Sequence, residues 1–486
     1  MAMTRRTFSK SALLAASAAA LQPAARLNAQ LEQERIATAA RHPVQPIQDT
    51  ETSAEKSARL RWFREARFGM FIHWGLYSIP AGRWDGREVP GIGEWIMNTA
   101  SIPVADYKAL APRFNPTLYS ATEIVSLAKS AGMKYIVITA KHHDGFAMFE
   151  SKANPFNIVQ ATPFKRDPLR ELAAECRRQN INLGFYYSQD QDWTAPGGAA
   201  LKTGNHQPPT YHWDPAQNGS FAEYLETKAI PQLRELLTNY GEYPSIIWFD
   251  TPTADMTPAL AGKIVSLLNE HPRLIWNNRL GGGYAGDTNT PEQYIPPRGF
   301  PGRDWESCMT INDTWGYKQD DQNFKSTETL LRNLIDVSSK GGNYLLNIGP
   351  MATGEVPEPE VMRLREMGKW LDVNGESIYG TQPTLFGAEA GSFSSSEKGK
   401  DGKSKFIPSW KWRSTTTPST IYIQILSWPG TTFKLQNVPR QVTGAHLLAD
   451  PDKKPLKVQT QGRTVTISLP EKQLDPIATV VALSTS

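Results

Sequence analysis

Cysteine is scarce in this chain of 486 residues; there are two, Cys176 and Cys308. They share no metal-ligand or redox spacing, so neither a zinc centre nor a disulfide framework organises the molecule, and both read as buried thiols. Long apolar runs are scarce too. After residue 29 no stretch approaches the ~20 residues that a bilayer-spanning helix requires, which leaves the mature chain without a membrane-spanning element. No glycine-rich dinucleotide or phosphate-binding loop follows any predicted strand, which weighs against an open doubly wound sheet. Excess charge is missing once the N-terminus is set aside. The net charge of +4 resides in Arg5, Arg6, Lys10 and Arg26, and without residues 1–29 the chain carries 48 basic and 48 acidic residues. Nothing in that balance calls for nucleic acid or an acidic membrane surface.

What the N-terminus does contain is an address. Thr4-Arg5-Arg6-Thr7-Phe8-Ser9-Lys10 precedes a weakly apolar run over 11–21, and Leu27-Asn28-Ala29 offers a small residue for cleavage. Paired arginines in that setting predict a twin-arginine export signal over 1–29, and thus a periplasmic or extracellular protein. Residues 30–54 are polar and irregular and read as a linker.

From residue 55 apolar β-runs alternate with amphipathic stretches of helical period. Strands are predicted over 69–75, 134–141, 182–187, 244–250, 274–279 and 344–347. Helices are predicted over 120–132, 169–178, 221–240, 256–269, 330–340 and 358–373, the second opened by the cap pair Asp167-Pro168. That alternation means a parallel sheet, and six or more units in roughly 320 residues favour a closed α/β barrel over 55–382. Beyond residue 383 the texture becomes short β-runs broken by turns such as Trp428-Pro429-Gly430, which predicts a C-terminal antiparallel β-sandwich over 383–486. Residues 392–404, rich in Ser, Gly and Lys, read as a loop or hairpin tip.

In a barrel of this kind the chemistry sits at the C-terminal ends of strands. The run Ile246-Ile247-Trp248-Phe249-Asp250 ends on a carboxylate, with Ile246, Trp248 and Asp250 sharing one face. A capping role would also explain a lone Asp there. At other strand ends or in the loops beyond them stand His73, Glu94, Trp95, His142, His143, Tyr186 and Arg279, and the acids Glu292 and Glu306 lie in the long loop region after Arg279. Aromatic walls, neutral imidazoles and two carboxylates suit a sugar. His142-His143 could instead suggest a metal, but adjacent strand residues point in opposite directions and would not chelate one ion. Asp144 and Asp192 read as structural caps, Tyr187 packs away from the pocket, and Asp190 receives no role.

The motifs, taken in order, resemble the α-L-fucosidases of glycoside hydrolase family 29. They are Phe68-Gly69-Met70-Phe71-Ile72-His73-Trp74-Gly75, Lys141-His142-His143-Asp144-Gly145-Phe146, Tyr186-Tyr187-Ser188, Ile247-Trp248-Phe249-Asp250, Asn277-Asn278-Arg279, Thr290-Pro291-Glu292, Trp305-Glu306, and the run from Ser339-Lys340-Gly341 to Ile348-Gly349-Pro350. The resemblance covers about residues 60–385. It implies a (β/α)8-like (TIM-type) barrel with a C-terminal β-sandwich, and a retaining exo-acting fucosidase with neither metal nor cofactor. Its substrate would be a fucosylated oligosaccharide or glycoconjugate. By motif match Asp250 is the nucleophile. His73, Glu94, Trp95, His142, His143, Tyr186 and Arg279 match fucose-hydroxyl contacts, and Trp248 and Trp315 match the walls around its methyl group. For the acid/base, Glu292 is favoured and Glu306 is the rival. Where many relatives follow the nucleophile with Gly or a short polar turn, this chain has Thr251-Pro252-Thr253, and Pro252 predicts an extended, stiff Thr251. The alternative function is a catalytically inactive fucose-binding homologue.

Overall fold

The computed structural model describes residues 51–201, 211–387, 391–398 and 404–486. The export signal and most of the expected linker therefore lie outside the described residues. The first element, α1 (Ser53–Ala66), begins inside the span expected as linker, because Thr52 and Glu55 form a reciprocal capping box.

Eight parallel strands follow: β1 (Phe68–Ile72), β2 (Tyr135–Lys141), β3 (Asn182–Tyr187), β4 (Ile246–Phe249), β5 (Ile275–Trp276), β6 (Thr288–Asn289), β7 (Asp304–Thr310) and β8 (Asn343–Ile348). Their order in the sheet is β5-β4-β3-β2-β1-β8-β7-β6. One parallel bridge, Asn277 to Thr288, joins the two ends and completes the circuit. Crossover helices are α2 (Ala121–Ser130), α3 (Pro168–Gln179), α4, α5 (Pro258–Asn269) and α6 (Thr327–Ser339), with α7 (Glu358–Asn374) after the last strand. Helix α4 runs through Phe221–Tyr224, a π turn Leu225–Ala229, and Ile230–Thr238. Between β5 and β6, and between β6 and β7, there is no helix. The cylinder is thus (β/α)8-like.

Two apolar layers account for the alternation along the strands. Phe71, Tyr135, Val137, Tyr186, Ile246, Trp248 and Leu345 fill the interior, together with Leu60, Phe63 and Ala66 of α1, which stoppers the end where the strands begin. Ile247, Phe249, Phe185 and Ile138 face the helices. Tyr187 points outward as expected, its hydroxyl donating to Gln232 Oε1 at 2.9 Å.

Strand β7 was not expected, and it overturns the placement of Glu306 in a loop. Asp304, Glu306 and Ser307 interrupt its apolar residues, and the two-residue β6 before it offers no apolar run to announce the pair. Strand β5 is also shorter than predicted. Beyond Trp276 the ladder to β4 is continued by a side chain, Asn277, which accepts from the Phe249 N–H at 3.0 Å and donates to the Phe249 carbonyl at 2.9 Å.

The C-terminal region is a hairpin, β9 (Gly391–Lys398) with β10 (Ser404–Pro408), followed by two facing antiparallel sheets. With β11 (Trp412–Thr416), β12 (Thr420–Ile425), β13 (Thr432–Leu435), β14 (Val442–Leu447), β15 (Val458–Gln461), β16 (Thr464–Ser468) and β17 (Thr479–Thr485), the orders are β11-β12-β17-β14 and β13-β16-β15. Ile421, Ile423 and Val481 face the sandwich core, whereas Tyr422, Val480 and Ala482 face the barrel's helices. Trp370 of α7 donates its indole N–H to the Ala478 carbonyl at 3.0 Å, and Arg413 of β11 pairs with Asp336 of α6. Cys176 and Cys308 are both buried and form no disulfide.

Candidate active site

Asp250 leaves β4 at the C-terminal mouth of the barrel. Its Oδ1 accepts from the Thr251 N–H and from Arg279 Nη1, both at 2.8 Å, and its Oδ2 accepts the Tyr186 hydroxyl at 2.9 Å. His143 Nε2 lies 3.5 Å from the same Oδ2. Burial, then the neighbouring Asp250 charge, push the Tyr186 hydroxyl well above its ordinary value, so it remains a donor. Thr251 is not extended. Its φ is +42°, a left-handed conformation that costs a β-branched residue on the order of 1–3 kcal/mol. The expectation from Pro252 fails because the turn folds the Thr251 N–H back onto the carboxylate.

Arg279 is the hub. Its Nε donates to Thr290 Oγ1 and its Nη2 to the Thr290 carbonyl, each at 2.8 Å, and the guanidinium lies over the Trp248 ring at 4.7 Å. That leaves Nη1 for two carboxylates, Asp250 Oδ1 at 2.8 Å and Glu292 Oε2 at 2.9 Å. The two oxygens are therefore separated by no more than the sum of those lengths, about 5.7 Å. Glu292 is placed by a parallel bridge to Cys308 of β7, with Gln293 N donating to the Cys308 carbonyl at 2.9 Å.

The imidazoles converge on the same space. Asn347 commits its amide to the Trp315 carbonyl, so its Oδ1 accepts from His73 Nδ1 at 2.7 Å. This tautomer presents the other His73 nitrogen as an acceptor. Burial pushes the His73 ring down to about 4, hence it is neutral at pH 7. His142 stacks on Tyr186 at 5.4 Å and 9°, is likewise driven well below its ordinary value by burial, and its Nδ1 has no hydrogen-bond partner among the described residues. Ser188 spends its proton on the Gln191 carbonyl, so its Oγ accepts from His143 Nδ1 at 2.6 Å. The two adjacent rings do not point apart. Strand β2 ends at Lys141, the chain turns, and the ring centroids lie 4.3 Å from each other. Among the described residues no cluster of His, Cys, Asp and Glu is arranged to hold a metal ion.

Trp315 packs its ring against His73 at 5.1 Å, and Trp95 packs edge-on against His143 at 5.2 Å. Glu94 is buried, accepts the Gly316 N–H at 2.8 Å, and is pushed up to about 7 by burial. It ties the short helix carrying Trp95 to the loop carrying Trp315. Trp248 is fully enclosed, stacked on Tyr186 with its indole N–H turned toward Glu306. Glu306 accepts from that N–H at 2.9 Å and from the Tyr135 hydroxyl at 2.7 Å. Its register partner is Asn343, the first residue of β8, and Tyr135 is the first residue of β2. Glu306 thus sits under Trp248, at the end of the barrel remote from the mouth, whereas Glu292 shares a nitrogen with Asp250.

Sequence reasoning passed over Gln189, Thr290, Asn277 and Asn347, which hold Asp250, Arg279 and His73 in place. Position was the available signal, since Asn277 directly follows the end of β5 and Gln189 stands two residues past the end of β3. Asp192 is more than a cap. Its Oδ2 lies 3.1 Å from Lys141 Nζ and 2.6 Å from Lys228 Nζ in a fully buried cluster. Gly145 has φ +77°, and a Cβ there would fall 2.0 Å from Asp192 Oδ1, so only glycine lets the turn after His143 lie on this cluster.

A family profile described as alpha-L-fucosidase matches residues 35–376. Plasma alpha-L-fucosidase of Homo sapiens is 32% identical over 341 residues, covering 66% of this chain and 69% of that protein. Alpha-L-fucosidase isoenzyme 1 from Paenibacillus thiaminolyticus superposes with a TM-score of 0.73 at 35% identity, over 89% of this chain and 100% of that one. A GH29 alpha-L-fucosidase from Bacteroides thetaiotaomicron, solved as a trapped covalent intermediate with 2-fluoro-fucosyl fluoride in a glutamate-to-glutamine mutant, superposes with a TM-score of 0.73 at 27% identity, over 88% of this chain and 95% of that one.

Proposed function

The chain belongs to the α-L-fucosidase family, GH29, a family of retaining glycoside hydrolases, and from that premise we propose that it removes terminal α-L-fucosyl residues from fucosylated glycans with Asp250 as nucleophile and Glu292 as acid/base. The observation that carries this assignment is the single Arg279 nitrogen holding both carboxylates within about 5.7 Å of each other, the spacing of a double displacement.

In the first step Asp250 attacks the anomeric carbon while Glu292 gives its proton to the departing glycosidic oxygen. The carbon–oxygen bond to the leaving group breaks as the bond to Asp250 forms. In the second step Glu292 takes a proton from water, the water oxygen bonds the same carbon, and Asp250 leaves, so the anomeric configuration is retained. Arg279, Tyr186 and the Thr251 N–H keep Asp250 ionised and aimed. His73, His142, His143, Trp95 and Glu94 meet the hydroxyls, and Trp248 and Trp315 wall the methyl group. The exposure of the site supports exo action. The side chains of Asp250 and Glu292 are 13% and 18% exposed, against 4% for Arg279 and 1% for His143. The anomeric carbon thus faces the mouth, with the body of one sugar inside and the aglycone outside.

Residues 1–29 are read as a twin-arginine signal, which puts the mature enzyme outside the cytoplasm. A fusion of 1–29 to a reporter, fractionated with and without the twin-arginine translocase, tests that reading. The catalytic reading is tested by release of 4-nitrophenol from 4-nitrophenyl α-L-fucoside by the chain lacking residues 1–29, beside the α-D-galactoside and β-D-fucoside. Turnover of the first alone supports it. Fucose binding without turnover of aryl or oligosaccharide fucosides would favour the inactive fucose-binding homologue.

A further inference from the structure

Two side chains at the end of β3, neither of which faces the sugar pocket, grip the main chain on both sides of Asp250. Gln189 is fully buried; its Oε1 accepts the Asp250 N–H at 3.1 Å, and its Nε2 donates to the carbonyls of Arg279 and Leu280 at 2.9 and 3.1 Å. One amide thereby locks the backbone of Asp250 to that of Arg279. Asp190, also fully buried, accepts through Oδ2 from the Thr253 N–H at 2.6 Å and from Thr253 Oγ1 at 3.1 Å. Its Oδ1 has no hydrogen-bond partner among the described residues.

Burying a carboxyl against neutral donors opposes stability, so what the arrangement secures lies in the turn. Between Asp250 and Thr253 the chain passes through Thr251 at φ +42°. Released, a β-branched residue before proline relaxes toward the extended region and carries its N–H away from Asp250 Oδ1. With Thr253 anchored by Asp190, the Thr251 N–H stays 2.8 Å from that oxygen. We infer that Gln189 and Asp190 are positioning residues for the double displacement, Asp190 by clamping the left-handed turn after the nucleophile and Gln189 by fixing the nucleophile's backbone to that of Arg279. The inference rests on Asp250 being the nucleophile.

The test compares turnover of 4-nitrophenyl α-L-fucoside with the rate at which a 2-fluoro-fucosyl fluoride labels Asp250. A displacement on the scale of 1 Å at a reacting group costs about 100-fold. Asp190→Ala is expected to lower kcat and the labelling rate together by about 30- to 100-fold, with KM within about threefold. Asp190→Asn, which still accepts the Thr253 N–H, restores most of that rate. The decisive readout is the double variant. Glycine adopts positive φ freely, so adding Thr251→Gly to Asp190→Ala shrinks the loss to less than about fivefold. Should Asp190→Ala fail to fold, Gln189→Met carries the test, with an expected loss of about tenfold in both rates at unchanged KM. Wild-type labelling by Asp190→Ala, or a loss of the same size in the Thr251→Gly background, overturns the clamp; a wild-type Gln189→Met overturns the Gln189 role. If the wild-type chain is itself neither labelled at Asp250 nor active on any α-L-fucoside, the nucleophile assignment falls, and the proposal with it.

Discussion

Asp250 and Glu292 meet at one atom, Nη1 of Arg279, 2.8 Å from the first carboxylate and 2.9 Å from the second. The room left between two carboxylates decides whether a water fits there. The separation here, at most about 5.7 Å between the two oxygens, falls short of the wider gap that an inverting enzyme keeps for its water, so the product expected first is α-L-fucose. Proton NMR recorded within the first turnovers reads the anomer directly, and an initial β signal would refute the geometry.

Glu292 and Glu306 are separable by leaving group. Glu292→Ala is expected to slow fucosides with poor leaving groups by about 10²- to 10⁴-fold, and aryl fucosides with good leaving groups much less. Azide should restore rate and give the α-fucosyl azide. Glu306→Ala should show neither the leaving-group dependence nor the rescue. The reverse pattern would transfer the role to Glu306.

Glu306 has a different signature. Burial pushes its carboxyl up to about 7 from 4.5. Between those values the folded chain keeps a proton that the unfolded chain releases. Its stabilising contribution is therefore complete below about 4.5 and fades as the pH rises through about 7. Glu306→Gln mimics the protonated form and removes this dependence. From pH 5 to pH 8 the wild type should lose up to about 3 kcal/mol relative to the variant, seen as diverging thermal midpoints. Parallel curves would show that Glu306 does not titrate in this way.

Asp192 is the only carboxylate paired with Lys141 and Lys228 among the described residues. Asp192→Ala strands both ammonium groups in the interior and should cost about 3–5 kcal/mol in urea unfolding. A loss below about 1 kcal/mol would mean that the remaining contacts to Tyr224 and to backbone carbonyls suffice.

Gly281, at φ +90°, lies against the turn after the nucleophile; a Cβ there would stand 2.8 Å from Pro252 Cβ. Gly281→Ala is expected to lower stability by about 1–3 kcal/mol and to reduce kcat more than it changes KM, which calorimetry and initial rates check. An unaltered kcat would detach this packing from the nucleophile.

Much of the molecule was legible because its signals are local. The alternation of Ile246, Trp248 and Asp250 against Ile247 and Phe249 placed the central strand and its face, and Asp167-Pro168 marked a helix start that the structure shows. The elements that escaped depend on partners distant in sequence. Strand β7 exists because β8 gives Asp304–Thr310 a ladder, not because those residues alternate. Thr251 is left-handed because Asp190 holds Thr253 from another strand's end, and the rule for residues preceding proline knows nothing of that. His142 and His143 converge because β2 stops one residue before them. Gln189 could not be singled out by composition, since its importance lies in which backbone atoms it reaches.

The bridge from Asn277 to Thr288 is the seam of the cylinder, and the two connections flanking it, 277–287 and 290–303, carry no helix. Elsewhere a change in loop length must respect a packed helix and a multi-residue ladder. At the seam the pairing is sparser, one bridge with the Asn278 N–H to Thr288 and Asp287 N–H to Trp276 bonds beside it, and two register pairs between β6 and β7. Arg279 stands at the start of the first connection and Glu292 at the start of the second, whereas Asp250 comes from the fully laddered side. On the assignment proposed above, the attacking carboxylate thus comes from the fully laddered side of the cylinder and the proton donor from the helix-free side. A change in the first connection reaches the nucleophile through Arg279 and through Gly281 against Pro252, whereas a change in the second acts first on Glu292.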